Sequence, residues 1–178
     1  LYYAQYDFAN AQALYEQAWR MREEVLGERH PDVATSLSDL ANVHHCQGMY
    51  GEGKALSERV LQLRQDVFGE RHPLVADAFE NLAIAHHNEA RIDQALLMYL
   101  RVLQMREDLL GPTHPHVARS CTHLGNLYLS VDDLDQAEHF YGRALAIYIE
   151  TLPAEHPYIY SAHGNLQVVY TKRLFIYS

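Results

Sequence analysis

The dipeptide His-Pro occurs at His30-Pro31, His72-Pro73, His114-Pro115 and His156-Pro157, each pair 42 residues after the one before. Other residues keep the same step. Gly27, Gly69 and Gly111 precede the histidines by three positions, and Val33-Ala34, Val75-Ala76 and Val117-Ala118 follow the prolines. Leu40-Ala41, Leu82-Ala83 and Leu124-Gly125 recur seven residues further on, and Leu61, Leu103 and Leu145 share a later phase. A period of this length excludes a single core built from unrelated elements. It requires one supersecondary unit, stacked on copies of itself.

Each unit reads as two helices. After the first His-Pro, the apolar side of PDVATSLSDLANVHH falls at Val33, Leu37, Leu40, Ala41 and His44, at the steps of three and four that mark one helical face. Proline suits the first turn, where its missing N–H leaves no bond unmade. A polar turn follows, Gln47-Gly48-Met49 in one unit and Val131-Asp132-Asp133 in another. A second helix, such as Ile92 to Leu109, then runs to Gly69 or Gly111, where glycine can take the left-handed cap conformation. The fourth unit carries Pro153 there, so its helix must stop by another device. The expected boundaries are a partial repeat at 1–26, repeats at 27–68, 69–110 and 111–152, and a partial repeat with tail at 153–178. Leu1 to Ala4 read as the end of a first helix and Phe8 to Leu26 as its second. The chain opens on Leu1 in mid-pattern, so a fragment of a longer array is expected. The tail Leu174-Phe175-Ile176-Tyr177 is apolar where a polar turn belongs; either the unit is cut there or the tail caps it.

Composition supports a packed chain. Apolar residues are 48% and charged residues 21%, with a net charge of -9. Only Lys54 and Lys172 are lysines, and no basic run exists to hold nucleic acid or an anionic membrane. No apolar stretch nears the roughly 18 residues of a membrane helix, and Cys46 and Cys121 cannot form a disulfide framework. The expected setting is cytoplasmic.

The unit resembles the tetratricopeptide repeat, whose pattern puts Leu-Gly-x2-Tyr on the first helix and Ala-x3-Phe with a later Ala on the second. The third unit matches with Leu124-Gly125, Tyr128, Ala137, Tyr141 and Ala144. The second gives Phe79, Leu82-Ala83, His86, Ala95, Tyr99 and Val102. The first departs, with Gly53 and Ser57 in place of the small and aromatic pair. The 42-residue spacing looks like the longer variety found in kinesin light chains and nephrocystin-type arrays. The resemblance implies an all-α fold, an α-solenoid of antiparallel helix pairs wound as a right-handed superhelix, with first helices lining a concave groove.

Mapped through that resemblance, the groove positions are Thr35, Ser38, Asp39, Asn42 and His45; Asp77, Glu80, Asn81, Ile84 and His87; Arg119, Thr122, His123, Asn126 and Leu129; and Ser161, Gly164, Asn165, Val168 and Thr171. The peptide-binding set expected among them is Ser38, Asn42, His45, Asn81, His87, Arg119, His123, Asn126 and Asn165. Amides pair with both donors and acceptors of an extended backbone. Chaperone-binding members of the family hold a terminal carboxylate at positions that read here Ser38, Asn42, Asn81, Arg119 and His123. Ser38 departs from that pattern, and Asp39, Asp77 and Glu80 would repel a carboxylate.

The His-Pro histidines are expected to be structural, packed in the turn with a ring nitrogen bonded to nearby backbone. His44 and His86 stand where the family packs a tyrosine, so they read as core rings. His45, Cys46 and His87 are conceivable zinc ligands, yet no Cys-x-x-Cys or His-Glu-x-x-His spacing accompanies them. Cys121 reads as a core thiol, and Cys46 as a helix-end one. No nucleophile–base pair or phosphate loop appears. The expectation is a non-catalytic scaffold without metal or cofactor that binds a peptide or protein segment, as kinesin-light-chain-like adaptors do. The alternatives are a regulatory array of a larger signalling ATPase or enzyme, and a self-assembling array associating through exposed terminal repeats, with Tyr2, Tyr3, Tyr6 and Phe8 at one edge.

Overall fold

The His-Pro pairs begin helices. In a computed structural model describing residues 8–176, the helices are α1 (Phe8–Leu26), α2 (Pro31–Cys46), α3 (Tyr50–Phe68), α4 (Pro73–Asn88), α5 (Ile92–Leu110), α6 (Pro115–Ser130), α7 (Leu134–Thr151) and α8 (Pro157–Ile176), with no strand among the described residues. Side chains are described from Asn10 to Phe175. The proposed helix remnant Leu1 to Ala4, the aromatic edge Tyr2, Tyr3, Tyr6 and Phe8, and Tyr177 lie outside them.

Each histidine before a proline is the N-cap, with its ring as the capping acceptor. The Nδ1 atoms of His30, His72, His114 and His156 accept from the backbone N–H of Asp32, Leu74, His116 and Tyr158, at 3.2, 3.2, 3.1 and 3.2 Å. Proline supplies no N–H at the first helical position, so the imidazole serves the next donor along. The capping ring must therefore be neutral, with its proton on Nε2.

A second device at the same joints is an arginine, again 42 residues apart, half-buried at Arg22 and buried at Arg64 and Arg106. Near the end of α1, Arg22 Nη1 donates to Ser36 Oγ at 2.5 Å and to the Asp32 carbonyl at 3.4 Å. Arg64 donates to the Leu74 carbonyl at 3.0 Å, and Arg106 to Ser120 Oγ at 2.8 Å and to the His116 carbonyl at 3.5 Å. Arg106 is 1% exposed. Each thus fastens the last turns of a second helix to the first turns of the next first helix. The fourth joint has Tyr148 in the arginine's place, stacked at a tilt on Tyr158 with ring centroids 5.5 Å apart.

The helices form two compact units, divided within α5 between Ala95 and Leu96. In unit 1, α2 packs against both α1 and α3, and α3 against α4. Val33, Ala34, Leu37, Val60 and Ala78 make its core, with Trp19, Leu56, Leu61 and Leu63 around them. In unit 2, α7 packs against α6 and α8. Leu134, Ala137, Tyr141, Leu166 and Val169 form that core, flanked by Tyr128, Leu129 and Leu145.

The ends of the elements follow local chemistry. Gly69 has φ 77° and ψ 177°, a positive-φ extended conformation open to glycine almost alone, and not the left-handed helical cap. At the fourth joint, Leu152 precedes Pro153 and is held extended at φ −119°, ψ 155°, which stops α7 without a glycine. The turns inside the helix pairs repeat a left-handed residue at the same phase: Gly48 (φ 76°), Ala90 (φ 56°) and Asp132 (φ 58°). The apolar tail makes no turn. α8 runs 20 residues where α2, α4 and α6 run 16, which carries Leu174 and Phe175 onward in the helix as exposed side chains. Lys172 pairs with Asp132 at 2.5 Å, and Arg173 with Asp135 and Glu138 at 2.5 and 2.7 Å, which ties this end of α8 to the start of α7.

Two substitutions test these conformations. Ala90→Gly removes a left-handed alanine and is expected to raise stability by about 0.5–1 kcal/mol in urea unfolding. Gly125→Ala is expected to lower it by about 1–3 kcal/mol, because a Cβ there would lie 2.6 Å from the Tyr141 ring. That ring is held in place by its hydroxyl, which donates to Asn126 Oδ1 at 2.6 Å.

Candidate functional site

Amides of the first helices gather in unit 1 into a cleft of about 250 Å³, lined by Asn42, His45 and Cys46 of α2 and Asn81, Ile84 and Asn88 of α4. Asn42 and Cys46, and Asn81, Ile84 and Asn88, follow helical steps of three and four, so each helix presents one stripe to the hollow. Asn88 was not among the sequence-derived groove residues. Its signal was available in the spacing 81, 84, 88.

Unit 2 holds a second hollow of about 320 Å³, lined by Arg119, Thr122 and His123 of α6, Tyr148 of α7, and Tyr158, Ser161, Ala162 and Asn165 of α8. No carboxylate lines it. Its tyrosine wall is the fourth joint, where Tyr148 and Tyr158 stand in place of the arginine fastening. Tyr148 and Tyr158 were not expected in the site. The signal was the break in the Arg22, Arg64, Arg106 series. The His123 ring lies parallel to Tyr99 at 5.5 Å, which fixes its orientation.

Of the expected binding set, Asn42, His45 and Asn81 thus come together in unit 1, and Arg119, His123 and Asn165 in unit 2. Ser38 needs correction. It is 8% exposed and its hydroxyl is buried without a protein partner, because α2 is covered by α1 on one side and α3 on another. Asn126 is exposed, but its carbonyl oxygen already accepts from Tyr141. His87 is half-buried and does not line the unit 1 cleft. Burial raises the Asp39 carboxyl above the usual carboxylate range, and Arg22 and Arg64 pull it partly back.

The imidazoles in unit 1 are packed more than presented. The ring of His45 lies over Gly53, where an added Cβ would sit 2.8 Å from Cε1. Gly53 and Ser57 replace the alanine and tyrosine of the later units, and His45 occupies the space this leaves. Burial pushes His45, His86 and His87 below the ordinary histidine value. His44 and His86 are buried at 8% and 7% exposure, as core rings. Among the described residues, no group of three or more His, Cys, Asp or Glu side chains is arranged to hold a metal ion.

Cys121 is fully buried and its thiol is pushed up to about 11 by desolvation, whereas Cys46 is exposed at the end of α2. One thiol per chain is therefore expected to react with an aromatic disulfide reagent at about pH 8, and two after unfolding in guanidinium. Prompt reaction of both in the native protein would contradict the placement of Cys121.

The tetratricopeptide repeat family model matches residues 1–52, 37–108 and 91–150. Human tetratricopeptide repeat protein 19, mitochondrial, is 43% identical over 44 residues, which are 25% of this chain and 12% of that protein. Among solved structures, BtubC (BKLC) from P. vanneervenii superposes with a TM-score of 0.82 at 26% identity, covering 96% of this chain and 68% of that one. A Podosopora anserina protein described as a kinesin light chain with nearly identical TPR-like repeats superposes with a TM-score of 0.76 at 23% identity, covering 96% and 81%. No helix among the described residues is long and apolar enough to cross a membrane. The fold is an all-α repeat solenoid, and the chain belongs to the tetratricopeptide repeat family.

Proposed function

We propose that this chain is a non-catalytic interaction module of the kinesin-light-chain-like adaptor kind, which holds a peptide or protein segment against its first helices in the cytoplasm. The observation that carries the reading is the unit 1 cleft. Asn42, Asn81 and Asn88 surround it with amides, and Ile84 supplies an apolar floor. An extended segment needs both donors and acceptors for its backbone and a pocket for an occasional side chain. The hollow of unit 2 offers a cation, hydroxyls and two phenol rings, so the two units would select different side chains along one partner or on two. The likeness to a kinesin light chain supports an adaptor. The acidic chain, with no basic stripe, leaves protein as the favoured partner class.

The test is quantitative capture with the purified protein. A partner retained by the wild type is expected to be lost roughly tenfold or more from the Asn42→Ala/Asn81→Ala variant, the size of two backbone hydrogen bonds. Gln62→Ala, on the exposed side of α3, is expected to retain it. Equal retention by the double variant would remove the cleft from the binding surface.

A further inference from the structure

We propose that the histidines ending α2 and α4, with His45 and His86 at their centre, make unit 1 the more proton-responsive of the two units, in which mild acidification loosens α3 from α2 and α4. The paired positions are His44-His45 and His86-His87. His44 and His86 are buried, and the Nδ1 of each has no protein partner. Both ring nitrogens of His45 are likewise buried and unpartnered, with the ring pressed on the Gly53 backbone. A neutral imidazole tolerates this. An imidazolium carries a full charge and two N–H donors, and the buried nitrogens of these rings have no hydrogen-bond acceptor in the packed state.

The charged groups around these rings do not reverse this balance. His45 faces His44 on α2, which opposes its charge, and Glu89 after α4, which favours it. Glu89 forms an ion pair with Arg91 at 3.2 Å, although its buried Oε2 accepts no hydrogen bond. His86 faces Lys54 and Glu58 on α3, and Glu89 and Arg91 after α4, two groups of each sign. Burial is the largest influence on both rings and on His87, and it holds all three below the ordinary value. The unfolded or opened chain therefore takes up protons first. The stabilising contribution is complete above the unfolded value of about 6.5 and is lost as pH falls through it toward the lowered folded values.

The protein contains its own control. One repeat on, the same positions are Tyr128 and Leu129, which carry no imidazole. Tyr128 instead stacks flat on Phe140 at 5.6 Å. The His-Pro caps do not distinguish the units, since each has two. The other histidines of unit 2 (His116, His123, His139 and His163) are all at least partly exposed. The inference concerns the packing of unit 1 and stands whether or not its cleft holds a peptide.

Hydrogen exchange on the whole chain at about pH 7.5 and about pH 5.5, corrected for the intrinsic pH dependence of exchange, reads this directly. Amides of α2, α3 and α4 are expected to lose about tenfold more protection than those of α6 and α7, where the counterparts of the paired histidines are Tyr128 and Leu129. His45→Leu and His86→Tyr, the residues the third repeat carries, are expected to flatten the response of unit 1. Equal responses in the two units, or a wild-type response in folded variants, would overturn the proposal. If a variant fails to fold at the higher pH, the comparison of units within the wild type still decides.

Discussion

A neutral imidazole nitrogen accepting one backbone N–H is the contact on which each joint of this chain depends. Proline starts the helix without a donor, the histidine before it satisfies the next donor, and that histidine stays extended. Three of the four joints then add an arginine from the preceding helix, bonded to a carbonyl in the first turn and, twice, to a serine one turn later. Burying a guanidinium is costly unless its donors are met, so the arrangement favours one register of helix on helix over its neighbours.

With the joints fixed, the rest of each unit is free to vary, and the variation is compensated locally. Where the third unit sets Gly125 against the Tyr141 ring, the first unit has Ala41 and Ser57 and fills the gap with His45 over Gly53. Where three joints use arginine, the fourth uses two tyrosines, and a hollow lined with hydroxyls and a cation appears beside them. The surfaces offered to partners thus arise from departures from the repeat, on a backbone that the repeat holds constant.

These departures mark the limits of what was legible in the sequence. The starts of α2, α4, α6 and α8 and the polar turns could be read directly, because proline, glycine and apolar periodicity act over a few residues. The arginines could not, although they keep the period. A charged residue near a helix end ordinarily reads as solvated, and only the placement of the next helix buries it. Ser38 was placed in the groove through the family's position pattern, which does not register that α2 is covered by both α1 and α3. The amides Asn42 and Asn81 were legible as a pair because a 42-residue step less three keeps them on matching faces. Tyr148 and Tyr158 were not, because each is an ordinary aromatic until the series it interrupts is noticed.

The most direct test of this account concerns the capping rings themselves. Long-range proton–nitrogen correlation of the imidazoles at neutral pH distinguishes the two tautomers. The account predicts that His30, His72, His114 and His156 all carry their proton on Nε2, with Nδ1 an unprotonated acceptor. A mixture of tautomers at these four rings like that of a free histidine side chain would contradict it.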